Sequence, residues 1–371
     1  MQDGSAFRIL DQTWKTSCFV WLDNLVANND LLDQKHLLTE SEARLLTALK
    51  TTQANPPNSV GDQTAHDNFH RLLELGLIVP ASQDEGRKFS VKRVDIETCT
   101  HCNARCLFCP QSEHPKPKQF MSLELFQRAV EQIAPYRPDW VALNNFSEPF
   151  LDPLFVERCM YLEAHALKVA LFTNATVLRP HVAEYLASSD VLHSITVNFP
   201  SPDPAEWANL MRLPASTHGR TVENIERLAE CYKGGIGIVV NALTENLHSR
   251  IDSLSQMFAR FPNVSVIKLD SNTLAGNIQN DLVQPASLTN SQKLGGCARL
   301  AAHVHISASG DVFMCCLDYW QETKFGNIAD ATLEEILGGD IAASHRRQVY
   351  GLTDADDNLL CRKCCHIRRA D

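Results

Sequence analysis

Thirteen cysteines are the side chains in this sequence best suited to chemistry, and most of them are gathered rather than scattered. Four lie between Cys99 and Cys109, three at Cys297, Cys315 and Cys316, and three at Cys361, Cys364 and Cys365. Cys18, Cys159 and Cys231 stand apart and read as buried thiols. In the first group, Cys102, Cys106 and Cys109 form Cys-x3-Cys-x2-Cys. Three thiolates can hold three irons of a 4Fe–4S cluster, because cluster iron is normally held by cysteine sulfur. The fourth iron is then free to bind a small molecule. The alternative is a zinc knuckle completed by Cys99 or His101, which would leave no open position. In the later groups, twelve residues separate Cys297 from Gly310, four more precede Cys315, and Cys361-Arg-Lys-Cys364 follows after 45 residues. Four thiolates there would complete an iron–sulfur cluster, or a zinc site, with no vacancy. Cys316 and Cys365 each sit beside a presumed ligand; Cys315 and Cys364 are preferred because they keep the spacing.

The elements that must position these groups are also legible. From Val91 to Ser271, strand and helix patterns alternate. The strands are Val91–Thr98, Trp140–Phe146, Lys168–Thr173, Ser194–Phe199, Gly237–Ala242 and Val264–Asp270, mostly short and apolar as buried parallel strands are. Val91–Thr98 is more polar, with Val94 and Ile96 as its inner face. Between them fall helices at Ser122–Ala134, Pro153–Ala166, Pro180–Ser188, Asp203–Met211, Thr221–Tyr232 and Glu245–Phe261. Such alternation makes an α/β fold, a parallel sheet with helices outside it. Six strands fall short of a full eight-stranded barrel. The first cysteine group follows the C-terminal end of the first strand, where barrel active sites lie, and this favours the cluster over the knuckle. Residues 272–371 lose the alternation. Gly310 fits a hairpin turn between His303–Ser307 and Val312–Cys315, which would bring Cys297 and Cys315 together.

Residues 1–88 read as a unit of their own. Thr39 and Glu42 form a capping box for a helix bearing Ala43, Leu45, Leu46 and Leu49. A loop over Thr51–Asp62, with Pro56, Pro57 and Gly61, leads to a second helix at Gln63–Leu75, capped by Gly76 and followed by a strand at Leu77–Val79. Two helices and a strand suggest a small winged-helix-like domain, with Ala81–Lys88 as linker. The expected division is therefore 1–88, 89–271 and 272–371.

With Phe108 standing before the last cysteine of the first motif, the chain resembles the radical S-adenosylmethionine (SAM) superfamily. The resemblance implies a partial (β/α)6 barrel. It also implies that SAM chelates the open iron through its amino and carboxylate groups and is reductively cleaved to methionine and a 5′-deoxyadenosyl radical. That radical removes hydrogen from an unactivated carbon. Asn144-Asn145-Phe146-Ser147-Glu148-Pro149 is similar to the family's Gly-Gly-Glu-Pro at the SAM amino group. Glu148 and Pro149 match and Ser147 replaces a glycine, so Glu148 is expected to orient SAM. Thr173-Asn174-Ala175 is similar to Thr-Asn-Gly, and Asn198 stands where the family often places a polar residue near the ribose. The later cysteines resemble the twitch domain, the shortened SPASM domain. This implies a second 4Fe–4S cluster, and with only six residues after Cys365 no third cluster is expected.

Composition narrows the partners. A net charge of -10 is a poor basis for sequence-independent nucleic-acid binding, which depends on basic surface. No run of about 18 apolar residues suggests a membrane span, and the start MQDGSAFRILDQTWK shows no secretory leader, so a reducing cytosol is expected. Three functions are then in play. One is oxidation of a small molecule such as an aminocyclitol or sugar in natural-product synthesis, with a flavodoxin or ferredoxin as one-electron donor. Another is modification of a ribosomally made peptide whose leader joins the N-terminal domain by strand addition. The third is a non-catalytic metal-binding scaffold.

Overall fold

The structure is a computed structural model, and it describes residues 12–57, 62–241, 247–270, 272–279, 283 and 293–368. Gly61, Ala242, Glu245, Ser271 and most of the N-terminal stretch read above fall outside these.

The N-terminal region holds more β-structure than its sequence announced. β1 (Trp14–Thr16) pairs antiparallel with β5 (Ile78–Pro80), while β2 (Val20–Asp23), β3 (Val26–Asn29) and β4 (Gln34–Leu37) form a three-stranded antiparallel meander. Between them lie α1 (Glu40–Thr51) and α2 (Gln63–Glu74). The expected capping box is present: the Thr39 hydroxyl accepts from Glu42 N–H, and the Glu42 carboxylate accepts from Thr39 N–H. Such a cap contributes about 1 kcal/mol. Trp14, Leu46, Leu49, Phe69 and Leu72 bury a core separate from that of the rest of the chain. The residues read as a linker are fastened instead. Gly86 O accepts from Arg346 Nε at 2.8 Å, and the Asp84 carboxylate from Arg347 Nη2 at 2.6 Å.

The barrel strands are β6 (Arg93–Ile96), β7 (Trp140–Ala142), β8 (Val169–Thr173), β9 (Leu192–Asn198), β10 (Ile236–Asn241) and β11 (Val264–Leu269). They lie side by side in sequence order, and every pair is parallel. The helices between them are α3 (Leu123–Ile133), α4 (Phe155–Ala164), α5 (Pro180–Ser188), α6 (Pro204–Met211), α7 (His218–Cys231) and α8 (Leu247–Met257). Val94, Ile96, Val141, Ile195, Val197, Ile238 and Val240 are buried on the sheet and pack with Phe126, Ile133, Leu162 and Leu228 of the helices. This is the expected partial barrel. At α4, Arg158 lies wholly inside, paired with Asp152 at 2.8 Å and with its guanidinium over the Phe126 ring.

The C-terminal part extends the same sheet from its first strand. After α9 (Ala298–Ala302), β12 (His303–Ile306) runs parallel to β6; β13 (Asp311–Phe313) and β14 (Lys324–Asn327) follow antiparallel. Gly310, at φ +87, makes the hairpin turn, a backbone conformation that costs glycine little. α10 (Leu333–Gly338) and α11 (Asp340–Val349) complete the fold. Among the described residues no helix is long and apolar enough to cross a membrane.

Candidate active site and auxiliary metal centre

The loop after β6 carries Cys102, Cys106 and Cys109, and both its flanks are pinned. Arg105 N–H donates to Met211 O at 3.1 Å and Leu107 N–H to Leu210 O at 3.0 Å, tying it to the end of α6. On the other side Gln111 Nε2 donates to Thr100 O at 2.7 Å and to Phe146 O at 3.1 Å. Within the loop, Cys109 N–H bonds to Cys106 O at 3.0 Å. Phe108 packs toward Leu210, Ile278 and Val283. Burial pushes the Cys102 thiol up to about 12 and Cys109 to about 11. Cys106 is raised well above its ordinary value by burial and then by Cys109 and Cys102, so the three sulfurs lie within one another's field. Three soft donors in one loop, Cys106 buried and Cys102 and Cys109 half-buried, fit cluster iron, whose charge would hold them as thiolates. Cys99, a candidate fourth zinc ligand, donates instead to Glu148 O at 3.4 Å.

Glu148 ends the second strand's loop and is buried. Its Oε1 accepts from Thr173 Oγ1 at 2.7 Å and from Phe150 N–H at 3.2 Å; its Oε2 accepts from Asn174 N–H at 2.7 Å. With one partner, Oε2 keeps a lone pair to spare. Burial raises this carboxyl to about 7 in spite of those donors. Pro149 opens the short turn behind it. Ser147 O accepts from Asn144 Nδ2 at 3.0 Å, which partly occupies the carbonyl. Ser147 Oγ, Asn145 Nδ2 and His101 Nδ1 are buried with no hydrogen-bond partner. Orphaned polar atoms of this kind fit a site built for a polar ligand such as SAM.

The third and fourth strand ends reach the same loop. Asn174 Nδ2 donates toward Cys102 Sγ at 3.6 Å and to Asn103 Oδ1 at 3.0 Å. Ala175 follows at φ +57, a left-handed position that favours the glycine of the related motif. Asn198 Nδ2 lies 3.9 Å from Cys106 Sγ and 3.6 Å from Met211 Sδ, and its Oδ1 accepts from Asn241 Nδ2 at 3.1 Å. Asn103, Met211 and Asn241 escaped the sequence reading. Asn241, a polar residue closing an apolar strand as Asn198 does, carried a signal that could have found it.

Cys297, Cys315, Cys361 and Cys364 line a single cavity together with Arg299, Leu300, Met314, Leu317 and Leu360. Four thiols on one apolar hollow fit a fully ligated cluster. Neither Cys316 nor Cys365 lines it; Cys365 is exposed. Arg299 feels the field of Cys316, Cys315, Cys297 and Cys364 and would balance an anionic cluster.

Comparison with known proteins agrees with this geometry. The radical SAM superfamily model matches residues 96–257, and the SPASM iron–sulfur cluster-binding domain matches residues 297–365. Streptococcus suis SuiB bound to S-adenosylmethionine superposes with a TM-score of 0.60 at 15% identity, covering 94% of this chain and 93% of that one. SuiB bound to precursor peptide SuiA gives 0.60 at 14% identity, covering 95% and 93%. anSMEcpe with bound AdoMet gives 0.51 at 16% identity, covering 73% and 86%. At such identities the likeness is one of fold. No curated protein sequence matches significantly. Fold and sequence together define an iron–sulfur enzyme that uses SAM. Residues 96–257 are a radical SAM domain, and residues 297–365 a C-terminal SPASM domain.

Proposed function

We propose that this enzyme oxidises an unactivated carbon of a ribosomally made peptide, using a cluster on Cys102, Cys106 and Cys109 and a second on Cys297, Cys315, Cys361 and Cys364. The SAM-binding cluster supplies a 5′-deoxyadenosyl radical when SAM is bound. The chain's own residues do the positioning. Glu148 Oε2 holds the SAM amino group, Asn174 and Asn198 steady the cluster loop and the nucleoside, and the buried loop excludes water from the reacting centre. Four ligating thiols would leave no iron position for substrate at the second cluster, which suits that site to taking up the substrate radical's electron; hydrogen-atom removal, that transfer and loss of a proton would together take two electrons and two hydrogens from the peptide.

The observation that carries the peptide reading is the edge of β4. Among the described residues β4 pairs only with β3, and Leu37 is 73% exposed there. Leu38 N–H bonds inward to Leu25 O, so by the alternation of an antiparallel ladder residues 35 and 37 turn their N–H groups outward. Leu37 O accepts from Arg71 Nη2 at 3.4 Å, and an edge left otherwise unpaired among the described residues is a template for strand addition. The full-length fold likeness to SuiB, a protein seen with its precursor peptide, supports the same choice. The test uses the reconstituted enzyme, SAM, a flavodoxin or ferredoxin donor, and a peptide encoded beside its gene. Loss of two hydrogens from the peptide, one for one with 5′-deoxyadenosine, is expected. Lys35→Pro removes an outward N–H and should weaken peptide binding at least tenfold. An unmodified peptide, with an aminocyclitol or sugar oxidised instead, returns the small-molecule reading. A redox-neutral product rules out the net oxidation.

A further inference from the structure

We propose that Asp95, His305 and Cys316 form a third metal site, for one divalent ion of the zinc class, at the joint between the barrel and the C-terminal hairpin. The three residues come from three segments. Asp95 lies on β6 and His305 is its register partner on β12, while Cys316 follows β13, the strand that returns along β12. Their donor atoms all lie within 4.8 Å of one another. Oxygen, nitrogen and sulfur ligands of a tetrahedral zinc ion, at roughly 2.0–2.3 Å from the metal, stand about 3.3–3.8 Å apart. To reach this spacing the Asp95–His305 pair, now at 2.9 Å, would open by a few tenths of an ångström and Cys316 would close by up to about 1 Å.

A second observation points to a ligand. His305 has no exposed surface; its Nδ1 stands 2.9 Å from Asp95 Oδ2, an ion pair when the ring is protonated, and its Nε2 has no hydrogen-bond partner. Buried imidazoles normally have partners. A metal would take up one ring lone pair, with the Asp95 carboxylate and the Cys316 sulfur as its other protein donors. Cys316 hydrogen-bonds the Cys315 side chain but does not itself line the four-cysteine cavity.

A mixed N, S and O donor set suits zinc better than calcium or magnesium, which take oxygen. Three protein donors leave a fourth position for water. Its place between β6 and β12 gives the ion the role of fastening the hairpin, and with it Cys315, to the barrel edge.

The experiment is elemental analysis and zinc-edge X-ray absorption on the anaerobically reconstituted holoenzyme after dialysis against zinc. One zinc per chain is expected beside the full iron content, with one sulfur ligand at about 2.3 Å and nitrogen or oxygen ligands at about 2.0 Å. Cys316→Ser and His305→Gln should each weaken zinc binding at least tenfold while iron is retained, and retained iron reports that the fold is intact. Wild-type enzyme with full iron and no zinc overturns the proposal. So does a zinc ion with no sulfur ligand. Loss of auxiliary iron in Cys316→Ser also overturns it, because Cys316 would then belong to the cluster. Iron sufficient for one cluster in the wild type would strike at the auxiliary-cluster reading alone, and the zinc stoichiometry would still decide this one.

Discussion

Replacing Glu148 by Gln separates a ligand-orienting role from a structural one, because the two predict different pH behaviour. The carboxyl is buried, accepts from Thr173, Asn174 and Phe150, and has its pKa raised to about 7. In the ligand-free fold the neutral form is therefore favoured over the unfolded reference near 4.5. The sign follows directly. Between these values the folded state binds more protons than the unfolded state, so this group's contribution to stability is full below about 4.5 and is lost as pH rises to about 7. The whole change is about 3 kcal/mol at 1.36 kcal/mol per unit. SAM bound at Oε2 favours the ionised form, so binding releases a proton below pH 7. A hydrogen bond to the charged carboxylate contributes roughly 1.5–3 kcal/mol, so Glu148→Gln should bind SAM about 10- to 150-fold more weakly at pH 8. The ratio of wild-type to variant affinity should shrink toward tenfold per unit as pH falls below 7, and stay level above it. Taking the ratio cancels the titration of SAM's own amino group. Equilibrium dialysis of reconstituted enzyme from pH 5.5 to 8.5 measures it. Equal affinities at pH 8, or a ratio that does not vary with pH, would refute the reasoning and leave Glu148 a structural cap.

Asp152→Ala should destabilise the barrel by about 3–5 kcal/mol, because Arg158 is left charged and wholly buried; denaturant unfolding showing a loss below 1 kcal/mol would contradict this. Cys364→Ala should remove the auxiliary cluster's iron, whereas Cys365→Ala, at an exposed thiol outside the cavity, should retain it. The opposite pattern would exchange their roles. Lys35→Pro should lower peptide affinity, read by fluorescence anisotropy of a labelled leader; unchanged affinity would move the peptide site away from β4.

The chemistry was more legible than the scaffold that presents it. Cys102, Cys106 and Cys109 are close in sequence, so spacing alone groups them. Cys297 and Cys315 line one cavity across a hairpin turned at Gly310, and that glycine was visible; Cys364 joins them because Gly295 N–H bonds to Arg368 O and Arg368 N–H to Gly296 O, a pairing with no local signal. Ile236–Asn241 and Val169–Thr173, buried along most of their length, were legible as apolar runs, whereas β11 is largely exposed and was legible by its own apolar residues and the helix before it. β2, β3 and β4 were not. VWLD, VANN and QKHL are four residues each, too short to show a period of two, and tertiary packing decides them. Thr332 and Glu335 form a capping box for α10 that sequence reading could have used. That β12 would join β6 in parallel had no local signal. The pairing of Asp95 with His305, and the group around Cys316, exist only through it.

The account rests on a SAM-cleaving cluster held by Cys102, Cys106 and Cys109. One preparation tests it: iron content, Mössbauer spectrum and 5′-deoxyadenosine formation, measured side by side for the wild type and for the variant with all three cysteines changed to Ala. The prediction is eight irons per wild-type chain, as two 4Fe–4S clusters, with 5′-deoxyadenosine and methionine formed on reduction, and four irons with no cleavage in the variant. A variant that keeps all its iron, or still cleaves SAM, would contradict the account.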